Sequence, residues 1–189
     1  MKGLLIVLSG PSGVGKGTVR KVLMEDESLK LAFSISMTTR QPRNGEVDGV
    51  DYFFVDKETF NQNIKNGELL EYARFVGNSY GTPKSYVEKL RNEGKNVLLE
   101  IETNGAKQVM EKFSDDDKFV SIFLLPPSPE ELESRIRGRQ TESEEVIQER
   151  LAKSRKELKL SSLYMYQVVN ETPEQAAKEI SKIIKSKEN

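Results

Sequence analysis

Near the start of the chain lies the feature that most restricts how it can fold. An apolar run at 4–8 is followed, after Ser9, by the stretch Gly-Pro-Ser-Gly-Val-Gly-Lys-Gly-Thr at 10–18. Val19, Val22 and Leu23 then recur at the spacing of one helix face. This order predicts a buried strand, a tight turn and a helix, the arrangement that a phosphate-binding loop requires. We call residues 10–18 the glycine loop.

The residue types of the glycine loop suit an anion. Glycine lets backbone N–H groups turn toward phosphate oxygens, and a helix start adds N–H donors and the positive end of its dipole. Lys16 supplies a mobile cation. Gly17 stands where the usual pattern has Ser or Thr, and the hydroxyl comes one place later, at Thr18. A tight turn with a chance lysine is the alternative interpretation. The candidate phosphate ligands are Gly10, Pro11, Ser12, Gly13, Val14, Gly15, Lys16, Gly17 and Thr18.

The residue types that are missing narrow the chemistry. The 189 residues include no cysteine and no histidine, which excludes disulfides, thiolate nucleophiles, imidazole bases and Cys/His zinc sites. A net charge of −1 gives no overall positive field for a nucleic acid. No apolar run approaches the roughly 20 residues of a membrane span. We therefore expect a cytoplasmic protein with neither nucleic-acid nor membrane partners, and monomer and homo-oligomer stay equally open.

Strand and helix patterns alternate along most of the chain, which predicts an α/β fold with a parallel sheet flanked by helices. The segment 34–82 breaks the alternation with short strands and predicts an inserted lobe. The strand patterns lie at 33–37, 52–55, 69–75, 78–80, 97–102, 120–125 and 168–169. The helix patterns lie at 16–24, 57–65, 83–92, 106–112, 144–159 and 173–185, with a further helix beginning at Pro129.

Three groups of side chains could carry chemistry beside the glycine loop. Glu100 and Glu102 end a buried strand pattern, where a carboxylate can hold Mg²⁺ directly or through water; an exposed strand-end acid is an equal alternative. Arg40 and Arg43, with Tyr52 nearby, could bind a phosphate, although their spacing alone favours a solvated basic loop. The third group is Arg135, Arg137, Arg139 and Arg150.

Together these motifs resemble the guanylate kinase family, in the family's order and spacing over nearly the whole chain. The resemblance rests on the glycine loop, Thr-Thr-Arg-x-Pro-Arg-x-Gly-Glu at 38–46, Gly-x-Asp-Tyr at 49–52, Glu-Tyr at 71–72 and Gly-Asn-Ser-Tyr-Gly-Thr at 77–82. It implies a single domain with a P-loop NTPase core, a mixed α/β GMP-binding lobe and a helical lid over ATP. The implied segments are 1–33, 83–126 and 160–189 for the core, 34–82 for the lobe and 127–159 for the lid.

The resemblance also implies an activity and a role for each matching position. The chain would transfer a phosphoryl group from ATP to GMP in purine metabolism, with Mg²⁺ accompanying ATP. The implied catalytic residues are Lys16, Arg40, Arg135 and Arg150, and the further ATP contacts are Arg139 and Asn170. The implied GMP contacts are Ser36, Arg40, Arg43, Tyr52, Glu71, Tyr80, Thr82 and Glu102.

Three positions depart from the family pattern. Gly17 replaces the hydroxyl residue after the lysine, Glu102 stands where the family usually has Asp, and Gln140 replaces the second glycine of Gly-Arg-Gly-Thr. Gly17 favours a metal held by phosphates, water and Glu102.

Two other functions are weighed against this one. A guanylate-kinase-like interaction module would bind phosphorylated partners, but such modules typically lack the lysine found here at Lys16 and carry Pro in place of Ser36. A kinase for another mononucleotide is disfavoured by Glu71, because one carboxylate can accept hydrogen bonds from the N1–H and amine of guanine, and adenine has no such pair of donors.

Overall fold

Strands and helices alternate along residues 1–75, 77–138 and 143–188, which are the residues that this computed structural model describes. The strands are β1 (Leu5–Ser9), β2 (Leu31–Phe33), β3 (Met37–Thr38), β4 (Phe53–Phe54), β5 (Leu69–Phe75), β6 (Asn78–Pro83), β7 (Asn96–Glu100), β8 (Phe119–Leu125) and β9 (Tyr166–Val169). The helices are α1 (Lys16–Met24), α2 (Lys57–Lys65), α3 (Lys84–Asn92), α4 (Thr103–Lys112), α5 (Pro129–Arg137), α6 (Glu144–Leu158) and α7 (Pro173–Glu188). Short 3₁₀ turns occur at Glu27–Leu29 and Ser161–Leu163.

The main sheet has five strands in the order β2-β7-β1-β8-β9, and every neighbouring pair is parallel. This confirms the predicted parallel α/β fold. Because the carboxyl ends of parallel strands meet at one edge, the segments that follow β1, β7 and β8 gather there, which is where such sheets bind ligands.

Both faces of the main sheet are covered, because β1 alternates between two apolar clusters. Leu4, Ile6 and Leu8 belong to the cluster that includes the buried side chains of α1 and α7. Leu5 and Val7 belong to the cluster on the other face, with α3 and α4. All five side chains are at most 1% exposed, so β1 is anchored on both sides and fixes the start of the glycine loop.

A second, mixed sheet has the order β4-β3-β6-β5; β3 and β4 are parallel, and β6 is antiparallel to both β3 and β5. The single strand predicted over 33–37 is wrong. Phe33 pairs with Leu98 in the main sheet, whereas Met37 pairs with Gly81 in the second sheet. The chain therefore crosses between the two sheets at residues 34–36.

The strand predicted over 97–102 ends at Glu100, and the helix predicted from 106 begins at Thr103. The Ala106 N–H donates to the carbonyl of Glu102 at 2.9 Å, which starts the helix early and leaves Glu102 at its N-cap position. Glu102 therefore projects from a strand-to-helix turn.

Helices α5 and α6 pack on each other through a small apolar cluster of their own: Leu132, Ile136, Ile147 and Leu151. Ser128 caps α5, since its hydroxyl accepts from the Glu131 N–H at 3.1 Å. The expectations for Arg139 and Gln140 lie outside the described residues. Among the helices that are described, none has the length and apolarity to cross a bilayer.

Candidate active site

Three glycines of the glycine loop adopt positive φ angles: 154° at Gly10, 83° at Gly13 and 96° at Gly15. A Cβ atom at Gly13 would lie 2.7 Å from Ile136 Cγ1, and one at Gly15 would lie 2.8 Å from Asn170 Nδ2. Glycine is therefore required here both by the backbone conformation and by the close approach of neighbouring side chains.

Lys16 is the first residue of α1, and its side chain folds back over the loop. Its Nζ donates to the carbonyls of Gly10 at 2.7 Å and Pro11 at 3.3 Å. Burial lowers the pKa of Lys16, and three carboxylates oppose that shift, of which Glu157 has the largest effect. The loop thus holds a desolvated cation where an incoming anion could compete for it.

The glycine loop is touched by Arg135 and Arg150, which were predicted to be catalytic, and by Asn170, which was predicted to contact ATP. Arg135 donates to the carbonyls of Val14 at 3.3 Å and Asn170 at 3.1 Å. The Asn170 Nδ2 donates to the same Val14 carbonyl at 2.7 Å. Arg150 donates to the Ser12 hydroxyl at 3.0 Å. The structure therefore brings these three distant parts of the sequence together around one loop.

The predicted arginine and tyrosine residues lie together in the second sheet and its loops. Arg40 donates to Glu46 Oε1 at 2.8 Å, and its guanidinium lies 5.3 Å from the Tyr52 ring centre. The rings of Tyr52 and Tyr80 are 6.2 Å apart. The other Glu46 oxygen accepts from the backbone N–H of Arg43 at 2.7 Å. These two hydrogen bonds, with Arg40 the larger cause, lower the pKa of Glu46.

Glu71 is a buried carboxylate, only 6% exposed, on β5. One of its oxygens accepts from the Thr82 hydroxyl at 2.6 Å, and Thr82 is itself buried on β6. Burial raises the pKa of Glu71, while the Thr82 hydrogen bond and the Lys112 cation oppose the shift. A buried carboxylate with remaining acceptor capacity suits a ligand that offers adjacent N–H donors.

Glu102, at the N-cap position of α4, is near enough to act electrostatically on both Lys16 and Glu71. Its negative charge acts to raise the pKa of both Lys16 and Glu71. The carboxylate is largely exposed and lies 3.3 Å from Lys153 Nζ. The remaining predicted contact, Ser36, is half-buried at the crossover between the sheets, and its carbonyl accepts from the backbone of β4 at 2.9 Å.

Position 17, which lacks the usual hydroxyl, opens toward Glu100. A Cβ atom at Gly17 would have Glu100 Oε1 at 3.7 Å, and Glu100 Oε2 also lies 2.7 Å from Arg20 Nε. Carboxylate oxygens suit Mg²⁺. No group of three or more potential metal ligands occurs within the described parts of the chain. The Glu100 carboxylate beside position 17 fits a cation whose other ligands would be phosphate oxygens and water.

A family model described as guanylate kinase matches residues 2–187. The chain belongs to the guanylate kinase family. A guanylate kinase from Enterococcus faecalis is 55% identical over 185 residues, which cover 98% of this chain and 89% of that protein. A crystal structure of guanylate kinase from Anaplasma phagocytophilum matches with a TM-score of 0.74 and 38% identity, covering 98% of this chain and 86% of that chain.

A further guanylate kinase, from Mesoplasma florum, is 55% identical over 183 residues. The match covers 97% of this chain, which spans only 61% of that relative's length.

Beyond the residues that sequence reasoning selected, this guanylate kinase family site contains Glu46, Gly105 and Glu157. Glu46 belongs to the motif at 38–46, but no role was predicted for it from the sequence. In the structure it accepts hydrogen bonds from the Arg40 side chain and from the backbone N–H of Arg43.

A Cβ atom at Gly105 would collide with the Glu71 carboxylate. In the structure Gly105 lies in the first turn of α4, where glycine costs about 1 kcal/mol relative to alanine. The helix predicted from 106 left Gly105 outside the helix, so no signal for it was present in the sequence. Glu157 had no distinguishing signal in the sequence.

Proposed function

We propose that this chain transfers the γ-phosphoryl group of ATP to GMP, giving ADP and GDP. The observation that carries the proposal is the buried Glu71 carboxylate, held by Thr82 at 2.6 Å. Guanine presents N1–H and its exocyclic amine side by side, and one carboxylate can accept from both. Adenine has no such pair of donors and would leave the remaining acceptor capacity of this buried carboxylate unsatisfied, which a polar site penalises heavily.

The acceptor phosphate would be bound by the cluster of the second sheet. Arg40 and Arg43 offer cationic donors, and Tyr52 and Tyr80 offer neutral hydroxyls. The ion pair with Glu46 supports this role, because it fixes Arg40 before a ligand arrives. The proposed contacts around the guanine ring are Ser36, Glu71, Thr82 and Glu102.

The donor ATP would lie along the glycine loop, with Lys16 on its β- and γ-phosphates. Arg135 and Arg150 would neutralise charge on the transferring phosphoryl group, and Asn170 and Arg139 would contact the nucleotide. Mg²⁺ bound with ATP would supply further charge neutralisation. Glu102 remains the proposed protein ligand, directly or through water.

The reaction needs neither a covalent intermediate nor a strong base. The attacking GMP phosphate oxygen is already an anion, so the side chains have to align donor and acceptor, neutralise charge and exclude water. Loss of water from the closed site would also suppress hydrolysis of ATP. This accounts for a kinase that contains no histidine or cysteine.

We propose that the chain is organised into three parts that serve these roles: a core, a GMP lobe and a lid. The core would comprise 1–33, 83–126 and 160–189, the GMP lobe 34–82, and the lid 127–159. ATP and GMP are the proposed partners, and the proposed setting is purine nucleotide metabolism in the cytoplasm.

A substrate panel tests the proposal. In an assay that couples ADP release to a reporter, with ATP and Mg²⁺ present, we expect turnover with GMP and a kcat/KM at least about a hundredfold lower with AMP, CMP or UMP. Absence of turnover with all four nucleotides would overturn the enzyme assignment and favour an interaction module, and turnover with AMP, CMP or UMP but not with GMP would favour a different mononucleotide kinase. Equal turnover with AMP and GMP would overturn the role of Glu71.

A further inference from the structure

Side chains on one face of α6 make hydrogen bonds to the hydroxyl, the carbonyl and the backbone N–H of Ser12 in the glycine loop. Arg150 donates to the Ser12 hydroxyl at 3.0 Å, and the Ser154 hydroxyl donates to the Ser12 carbonyl at 3.3 Å. The Ser12 N–H donates to Glu157 Oε2 at 3.2 Å. Positions 150, 154 and 157 are four and three residues apart, so they lie on one side of the helix. Ser12 is thereby fixed in position and orientation.

Glu157 is the buried end of this arrangement, at 6% exposure. Its other oxygen lies 3.5 Å from the donating Thr103 hydroxyl and 3.8 Å from Lys153 Nζ. A buried carboxylate is costly unless it is hydrogen-bonded, and these partners come from the loop, from α4 and from α6 itself. The side chain therefore ties the tip of the glycine loop to both helices.

The attachment of α6 to α5 does not depend on this carboxylate. The apolar cluster of Leu132, Ile136, Ile147 and Leu151 joins the two helices on a separate set of positions. Glu157 is buried and not exposed at an open mouth, and of the carboxylates near Lys16 it has the largest effect on that cation.

We propose that Glu157, assisted by Ser154, is a positioning residue that holds Ser12 so that the glycine loop is ordered before ATP arrives. The inference rests on the proposed function in taking ATP as the ligand of this loop. Glycine-rich segments lose more conformational entropy on ordering than other segments, so a loop whose tip is already fixed binds a triphosphate at a smaller entropic cost. Glu157 acts through Ser12 and has no contact with ATP in this scheme.

The test compares four variants by titration calorimetry with ATP and, separately, with GMP. Glu157→Ala removes the acceptor and is expected to weaken ATP binding roughly tenfold or more, because hydrogen bonds to charged groups are among the stronger ones. Glu157→Gln keeps an acceptor oxygen for Ser12 and is expected to stay within about threefold of the unmodified protein. Ser154→Ala is expected to weaken ATP binding a few-fold, as for a neutral hydrogen bond. The exposed Glu149 of the same helix supplies the control, Glu149→Ala, with no change. GMP affinity is expected to stay constant throughout.

Three results would overturn the inference: unchanged or tighter ATP binding by Glu157→Ala, an equal loss of ATP and GMP binding, or a Glu157→Gln protein as weak as Glu157→Ala. Should Glu157→Ala fail to fold, Ser154→Ala decides. Weakened ATP binding at an unchanged melting temperature would support the inference, and unchanged binding would refute it. A chain that binds ATP without phosphorylating GMP would refute the proposed function and leave this comparison intact.

Discussion

Replacement of Lys16 by methionine is expected to lower kcat/KM for ATP by about a thousandfold, the upper range for loss of one preorganised donor at a site of developing charge. The ammonium is buried and donates to the carbonyls of Gly10 and Pro11, which are weaker acceptors than phosphate oxygens, so a phosphate can replace them. Methionine keeps much of the length and volume of the side chain and removes the charge. Steady-state kinetics at saturating GMP measure the effect.

The matched control is Lys21→Met, a change at an exposed lysine of the same helix. It is expected to leave kcat/KM unchanged. GMP affinity, measured by calorimetry, should be the same in both variants, because the acceptor cluster lies on the second sheet. A Lys16→Met protein that retained most of its activity would show that the loop backbone alone suffices.

The pH dependence of activity is expected to carry the signature of the same lysine. Burial lowers the pKa of Lys16 from its ordinary value of 10.5. As the pH rises through the lowered pKa, Lys16 loses its charge, so activity should fall on the alkaline side earlier than an ordinary lysine would allow. Lys153 also acts to lower this pKa, so Lys153→Met should move the alkaline limb of a kcat/KM profile to higher pH. If the alkaline limb did not move, deprotonation of Lys16 would not be the cause of the fall in activity at high pH.

The sequence was sufficient to predict those features that depend on residues close to one another in the chain. The helix α1 was predicted with its observed bounds, Lys16–Met24, and α2 likewise, since Asp56 caps it by accepting from the Thr59 N–H at 2.7 Å. Caps, glycines and helical spacing act over a few residues and can be read in one dimension.

Features that depend on distant partners were predicted less well. The segment 33–37 reads as one strand because its alternation is continuous, yet Phe33 and Met37 pair with strands of different sheets. Glu157 looks like the partner of Lys153 in a surface ion pair four residues apart. Its burial arises only when α6 packs over the glycine loop, 145 residues away in the chain. The family resemblance led to the proposed nucleotide contacts, whereas the residues that hold them in place could be found only from the coordinates.

Replacement of Glu71 by glutamine is expected to lower kcat/KM for GMP by about a thousandfold and to leave the KM for ATP near its original value. The amide would put a donor where guanine also presents donors, or turn its single oxygen away from Thr82. A structural role would reduce both affinities together, so an equal rise in both KM values would contradict the assignment.

The stability of the same variant should move in the opposite direction. Burial raises the pKa of Glu71, so the ionised carboxylate destabilises the folded chain at neutral pH. Glutamine removes that cost, and the melting temperature is expected to be equal or higher. The gain should shrink as the pH falls through the raised pKa, because the native side chain is then protonated and neutral as well. Thermal melts at neutral and acidic pH measure it.

Gly105→Ala supplies an independent test of where that carboxylate must lie. The added methyl group collides with Glu71, so the carboxylate has to move, and GMP binding should weaken roughly tenfold even though alanine favours the helix by about 1 kcal/mol. Lys107→Ala, at an exposed position in the same helix, is the control and should bind GMP normally. If Gly105→Ala gained stability and kept its GMP affinity, the guanine would not depend on the observed position of Glu71. Loss of GMP affinity in a stabilised helix would instead show that glycine is retained at position 105 for the sake of the carboxylate beside it.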